Sequence, residues 1–305
     1  MDDKQIHKTN VAFIVNPISG SSRFIPKRKM LESLVDKTKF DYDIFETKYS
    51  GHAVELASSC SKSGYDLVVA VGGDGTVNEV GRGLIHSGVP MGIIPCGSGN
   101  GLARHLGIPL DPIRSFRWLQ NYHVEDIDYG LLNDKAFFTT CGVGFDALIS
   151  KKFSESKSRG LMSYVENILH ELLLYHSDSY LLFLDGEVVD MDAFLITCAN
   201  ANQWGNGAYI APGASVCDGY LDVSAISRFS PLDIPLMAYQ LMHKQIDKNP
   251  CVFTRKCREL TIRRRGTCVA HYDGDPILTK GDINMRIVPH GLRVAVPTKK
   301  RPFRI

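Results

Sequence analysis

Three short apolar runs, each breaking abruptly into glycine, constrain the fold more than any other feature. VAFIV (residues 11–15) stops at NPISG (16–20), LVVAV (67–71) at GGDGT (72–76), and MGIIPC (91–96) at GSGNG (97–101). Wholly apolar runs this short suit strands buried on both faces, as in a parallel sheet covered by helices. Helical segments lie between them. Residues 27–38 space Met30, Leu31, Leu34 and Val35 along one face, and HAVELASSCSKSG (52–64) closes on Gly64 as on a C-cap. FDYDIFET (40–47) alternates as a strand, and TVNEVGRGLIHSG (76–88) reads as a further helix. This alternation predicts an α/β unit with a mostly parallel sheet.

Beyond about residue 126 the pattern changes to strands separated by turns: 135–149, 180–201, 219–227, 259–265, 268–278 and 283–289. They predict a second, mainly antiparallel domain, interrupted by helical stretches over 161–175 and 231–246. The expected division is an α/β domain over 1–130 and a β-rich domain over 131–292, with the tail 293–305 returning to the first. At 305 residues the chain has room for both.

Composition narrows the function. Net charge is +2, so bulk charge supplies no drive towards nucleic acid. The cations cluster at Lys27–Lys29, Arg263–Arg265 and a tail containing Lys299, Lys300, Arg301 and Arg304, either as solvated surface or as a face for anionic lipid. Eight cysteines without CxxC spacing, and histidines without HxxxH or HExxH, point to free thiols in a reducing compartment, not to zinc or disulfides. The first ten residues lack a signal-peptide core, and no apolar run reaches the ~18 residues of a membrane span. A cytoplasmic protein able to touch a membrane surface is expected.

In an open α/β sheet, ligands bind beyond the carboxyl ends of the strands. Glycines there let backbone amides approach phosphate, and the following helix N-terminus favours negative charge. Three such loops, each with Ser, Thr, Asn or Asp, predict a phosphate site. The P-loop pattern and the dinucleotide fingerprint are both absent, as are the protein-kinase HRD and DFG signatures.

GGDGTVNEV (72–80), with NPISG upstream and CGSGNGLARHLGIP (96–109) downstream, resembles the diacylglycerol/sphingosine lipid kinase family, in its soluble bacterial form. The resemblance continues through 139–149, 199–223 and HYDGDP (271–276), nearly the whole chain. GGDGT is shared with NAD kinases and, in related form, phosphofructokinases; NEV and DGYLDV (218–223) favour the lipid kinases. The resemblance implies a Rossmann-like nucleotide-binding domain of NAD kinase/phosphofructokinase type and a β-sandwich C-terminal domain. It also implies ATP, Mg²⁺ and a lipid substrate, and no nucleic acid.

Carried onto this sequence, the nucleotide site comprises Asn16, Pro17, Ser19, Gly20, Thr47, Gly72, Gly73, Asp74, Gly75, Thr76, Val77, Asn78 and Ser98. The hydroxyls of Thr47, Thr76 and Ser98 suit phosphate oxygens, whereas Asp74 needs Mg²⁺ or a hydroxyl proton between itself and phosphate. The family's DGE pattern maps onto DGD, which implies Asp275 as the base, one methylene shorter, and Asp273 as its supporting or metal-linked partner; Asp74 is the third catalytic candidate, and either Asp74 or Asp275 takes the proton. Two residues apart on a strand, Asp273 and Asp275 would point the same way. Asp-Gly is equally a hairpin signal, and LDGEVVD (184–190) reads as a plain hairpin. Ser215, Asp218 and Tyr220 match the family's second-domain Mg²⁺ site, through carbonyls and one carboxylate. Residues 161–175 carry an apolar stripe facing either a core or lipid. The expected activity is ATP-dependent phosphorylation of a diacylglycerol-like or sphingoid hydroxyl. The alternatives are an NAD kinase-like enzyme and an inactive nucleotide- or lipid-binding regulator.

Overall fold

The computed structural model describes residues 8–20, 27–155, 171–172, 174–264 and 266–298. The stripe expected over 161–175 falls almost wholly outside them, as do Arg265 and the tail cations from Lys299 onward. The chain divides into two compact units, residues 1–127 with 290–305, and residues 128–289.

The first unit is built on β1 (Thr9–Val15), β2 (Phe40–Glu46), β3 (Leu67–Gly72) and β4 (Met91–Pro95), all parallel in the order β2-β1-β3-β4. Every residue of β3 and β4 is buried, which is why their sequences are unbroken apolar runs. Val11, Phe13, Val15, Leu67, Val69 and Val71 share one core with Leu31 of α1 (Lys27–Leu34) and Phe116 of α5 (Pro112–Trp118). Helices α2 (His52–Lys62) and α3 (Asp74–Leu84) pack on each other at Gly83. A Cβ there would lie 2.6 Å from the Val54 carbonyl oxygen. Glu79 of α3 accepts hydrogen bonds from the amides of Gly51 (2.8 Å) and Ala53 (3.1 Å), satisfying donors that the start of α2 leaves open. The glutamate of NEV is therefore a cap that ties α2 to α3.

The second unit is an antiparallel β-sandwich. One six-stranded sheet runs in the order β12 (Val252–Cys257), β11 (Leu221–Ile226), β10 (Leu195–Ala199), β7 (Thr140–Gly144), β14 (Thr267–Tyr272), β15 (Asp275–Lys280). Facing it are β8 (Asp178–Leu184), β9 (Glu187–Ala193), β13 (Glu259–Arg263) and the first residues of β16 (Ile283–Pro297). Alternate residues point inward: Tyr180, Leu182 and Leu184 of β8 meet Val143, Ile196 and Val223 of the opposite sheet in one core. Helices α6 (Phe145–Glu155) and α7 (Ile234–Met242) cover a separate cluster around Phe145, Phe194 and Ile210. No helix of the described residues is long and apolar enough to cross a membrane.

Candidate active site

The three glycine-rich loops converge at the carboxyl ends of β1, β3 and β4. Asn16 donates from Nδ2 to Thr76 Oγ1 (3.2 Å), joining NPISG to GGDGT. Asp74 accepts from the amides of Asn100 (2.8 Å) and Gly101 (2.7 Å), so it joins GGDGT to GSGNG by capping α4 (Gly101–His105). Thr47 follows β2 and donates its amide to the Val15 carbonyl.

Most of the glycines are explained by these contacts. A Cβ at Gly20 would stand 1.9 Å from the Cys96 carbonyl oxygen, one at Gly97 2.7 Å from the Gly73 Cα, and one at Gly99 2.8 Å from the Asp74 carboxylate. A Cβ at Gly72 would meet Thr76 Oγ1 at 2.4 Å. The sequence suggested that these glycines clear space for a ligand; here they let three loops touch. Gly75 differs. It is exposed, lies in the first turn of α3, has no left-handed backbone, and a Cβ there would meet nothing within 4 Å. Glycine in a helix costs up to ~1 kcal/mol relative to alanine, and no atom of the described residues requires it.

Residues 74–76 begin α3, where amides lack intrahelical acceptors and the helix dipole favours an anion. Thr76, Val77 and Asn78 are themselves buried, so the exposed surface here belongs to Pro17, Ile18, Gly20, Gly75 and Ser98. This cradle suits phosphate: amides, glycine and one hydroxyl, with Asp74 turned into the loops.

One contributor escaped the sequence reading. Lys27, grouped there with a surface basic cluster, is buried at 7% exposure. Its Nζ donates to the carbonyl oxygens of Asn16 (2.7 Å) and Ser19 and to Ser19 Oγ (2.9 Å). Burial holds its pKa below the ordinary lysine value, with Cys96 opposing. Lys27 thus fixes the NPISG loop from beneath. Its burial depends on where α1 packs, which no local pattern encodes.

In the second unit the aspartates divide in role. Asp273 and Gly274, with φ of +46° and +86°, form the two-residue turn of a hairpin in which Tyr272 pairs with Asp275. The expectation that Asp273 and Asp275 share one strand is corrected: the positive φ values reverse the chain between them. The Asp273 carboxylate accepts from the amides of Phe138 (2.9 Å), Thr139 (2.8 Å) and Thr140 (3.2 Å) and from the Thr139 hydroxyl. Asp275 opens β15 and is exposed. The same device recurs at Asp185-Gly186, whose carboxylate accepts from the amides of Arg258 and Glu259. The hairpin reading of that segment matches the structure.

His271, two residues before the turn, is buried and meets Asp146 Oδ2 (3.1 Å), which also accepts from Thr197 (2.7 Å). Around the candidate cation ligands, Ser215 Oγ accepts from the Cys217 amide and Tyr220 donates its amide to Asp218. Lys256 Nζ lies 2.7 Å from Asp218 Oδ2 and 2.9 Å from Asp222 Oδ2. Carboxylate, hydroxyl and carbonyl oxygens are suitable for Mg²⁺, but a dication at Asp218 has to displace the Lys256 ammonium. Among the described residues no cluster of three His, Cys, Asp or Glu side chains could hold a metal.

Comparison with known proteins agrees with this architecture. Residues 10–132 match the diacylglycerol kinase catalytic domain, and residues 139–296 match the YegS C-terminal NAD kinase beta sandwich-like domain. A diacylglycerol kinase of Mycobacterium tuberculosis is 31% identical over 281 residues, covering 87% of this chain and 88% of that protein. One of Staphylococcus saprophyticus is 24% identical over 86% of this chain and 87% of its own. In fold, the chain is similar to a crystal structure described as a diacylglycerol kinase of Bacillus anthracis strain Sterne. That likeness has a TM-score of 0.74 at 21% identity, over 95% of this chain and 97% of the other. With both domain models matched in order and relatives aligned along most of its length, the chain belongs to the diacylglycerol kinase family of lipid kinases.

Proposed function

We propose that this protein is an ATP-dependent lipid kinase that transfers the γ-phosphoryl group to a hydroxyl of a diacylglycerol-like or sphingoid lipid. The observation that carries the reading is Gly75: an exposed helical glycine that no contact among the described residues requires, at a helix N-terminus among three converging loops. A polyphosphate lying over that turn supplies the reason, because a Cβ would occupy its place. Relatives named diacylglycerol kinase supply the acceptor class.

ATP as its Mg²⁺ complex supplies the transferable phosphoryl group and offsets its charge. The first-turn amides of α3, with Ser98 and NPISG, bind the phosphates. Asp74 holds the GSGNG loop in position, and Lys27 does the same for NPISG. In the second unit Asp275 accepts the proton of the acceptor hydroxyl. Asp273 secures the hairpin that presents Asp275. The Ser215, Asp218 and Tyr220 oxygens form a separate candidate cation site, and no step of transfer passes through it.

Asp275→Asn tests the assignment. Loss of a general base lowers kcat by about 10²–10⁴. Asp275 is exposed, so thermal stability and ATP binding should be unchanged. Wild-type turnover by the variant removes Asp275 from the chemistry.

A further inference from the structure

Helix α7 has apolar residues on both sides. Met237 is buried and Leu241 packs beside it against the cluster of Phe194 and Ile210, while the opposite side presents more apolar residues to solvent. Leu232, in the turn leading into the helix, is 88% exposed; Leu236 is 54%, Tyr239 54% and Met242 55%. At 100° per residue these four fall within about one third of the helix circumference. A soluble helix normally turns charged residues outward; α7, IPLMAYQLM, has none. Large exposed apolar side chains grouped on one face mark a docking site.

We propose that this face lies in the surface of a lipid bilayer that contains anionic headgroups. Three observations favour a membrane over a second protein copy. The helix is nine residues long, roughly 14 Å by 10 Å in footprint, on the order of 150 Å². That falls far short of the ~800 Å² per partner of a stable interface. Charge also fits: His243, Lys244 and Lys248 lie exposed just past the C-terminal end, where they can meet lipid phosphates, with Asp247 the acid among them. The acid at the other end, Asp233, is taken up in a capping box, accepting from the Ser230 amide at 2.8 Å. Finally, the side chains suit the interface: leucines and methionine for acyl chains, and Tyr239 for the headgroup boundary. Nine residues cannot span the bilayer, so the helix lies along it.

Of the basic segments considered earlier, the one beginning at Arg263 carries less of this role. Arg263 is paired with Asp282 at 2.9 Å, and Arg264 with Asp178 at 3.3 Å. The proposal extends the lipid-kinase reading by naming how the protein reaches its acceptor, and it rests on that reading for its purpose.

The test is co-sedimentation of the full chain with vesicles of phosphatidylcholine alone, or of phosphatidylcholine and phosphatidylglycerol in equal parts. The wild type should bind the mixed vesicles. Leu232→Asp with Leu236→Asp should weaken binding about tenfold per leucine. The circular dichroism spectrum, the melting temperature and transfer to a water-dispersed dioctanoylglycerol should stay unchanged. Lys244→Glu with Lys248→Glu should weaken binding about fivefold per lysine on mixed vesicles and leave pure phosphatidylcholine unaffected. Unchanged binding by the leucine variant overturns the proposal, as does a wild type that binds neither vesicle. So does a wild-type dimer that the leucine variant dissociates with no vesicle binding. If vesicle binding follows the leucines while the wild type phosphorylates no lipid, the docking face stands and the kinase reading falls.

Discussion

Replacing Asp273 by asparagine separates a structural aspartate from a chemical one. The carboxylate accepts from Phe138 N on Oδ2, and from Thr139 N, the Thr139 hydroxyl and Thr140 N on Oδ1. An asparagine amide can offer its carbonyl to only one of these two sets. With the carbonyl in the Oδ1 position, its NH₂ faces the Phe138 amide and strands a donor, at about 1–3 kcal/mol. The three remaining bonds lose their charge assistance, on the order of 1 kcal/mol each. Bonds to one group are not additive and the site is partly exposed, so the net expectation is about 3 kcal/mol. Urea denaturation followed by a probe in the second unit reads this as a midpoint lowered by about 1 M. Amides 138–140 should also exchange faster. Asp185→Asn, the same turn at an exposed site, is the control and should cost about 1 kcal/mol. If Asp273→Asn denatures within ~0.5 kcal/mol of wild type yet abolishes phosphoryl transfer, Asp273 belongs to the chemistry and its role as a latch is wrong.

Gly75→Ala should strengthen α3 by up to ~1 kcal/mol while raising the ATP dissociation constant at least about tenfold by calorimetry; unchanged affinity moves the phosphates away from this turn. Lys27→Met strips the NPISG carbonyls of their cation and should cost about 2–4 kcal/mol in thermal denaturation, with a higher KM for ATP; a cost near zero means the lysine is no anchor. A disulfide reagent at neutral pH should modify Cys217 fastest, since it is exposed while Cys60, Cys141, Cys198 and Cys257 are buried, and a fast phase that survives Cys217→Ser contradicts this. Burial, then the Asp43 carboxylate, pushes the Cys60 thiol from an ordinary 9.0 up to about 11. The folded chain then holds that proton longer than the unfolded one, so stability falls as pH rises across this window. Cys60→Ala should flatten the decline, and an unchanged slope removes Cys60 from it.

The legible parts of the molecule were those written locally. Apolar runs ending in glycine located β1, β3 and β4 and their loops, because burial on both faces leaves nothing else for such runs to do. The family resemblance rested on motifs that the domain comparisons match. What escaped depends on tertiary approach. Gly20, Gly73, Gly97 and Gly99 are explained by partners in other loops, and Lys27 by carbonyls about ten residues before it. A period of two puts Asp273 and Asp275 on one face only along an uninterrupted strand, and a hairpin turn lies between them. The Asp-Gly pair reverses the chain at Asp273 as it does at Asp185, so the local turn signal holds at both places. Exposure of the apolar face of α7 was likewise hidden, since its sequence is that of a core helix.

The central claim is phosphoryl transfer from ATP to a lipid hydroxyl. Incubating the protein with γ-labelled ATP, Mg²⁺ and a total lipid extract supplemented with NAD, and identifying the labelled product, tests it most directly. The account predicts label in a phosphorylated lipid extractable into organic solvent, lost with Asp275→Asn. Label on NAD, or label released only as inorganic phosphate, contradicts it.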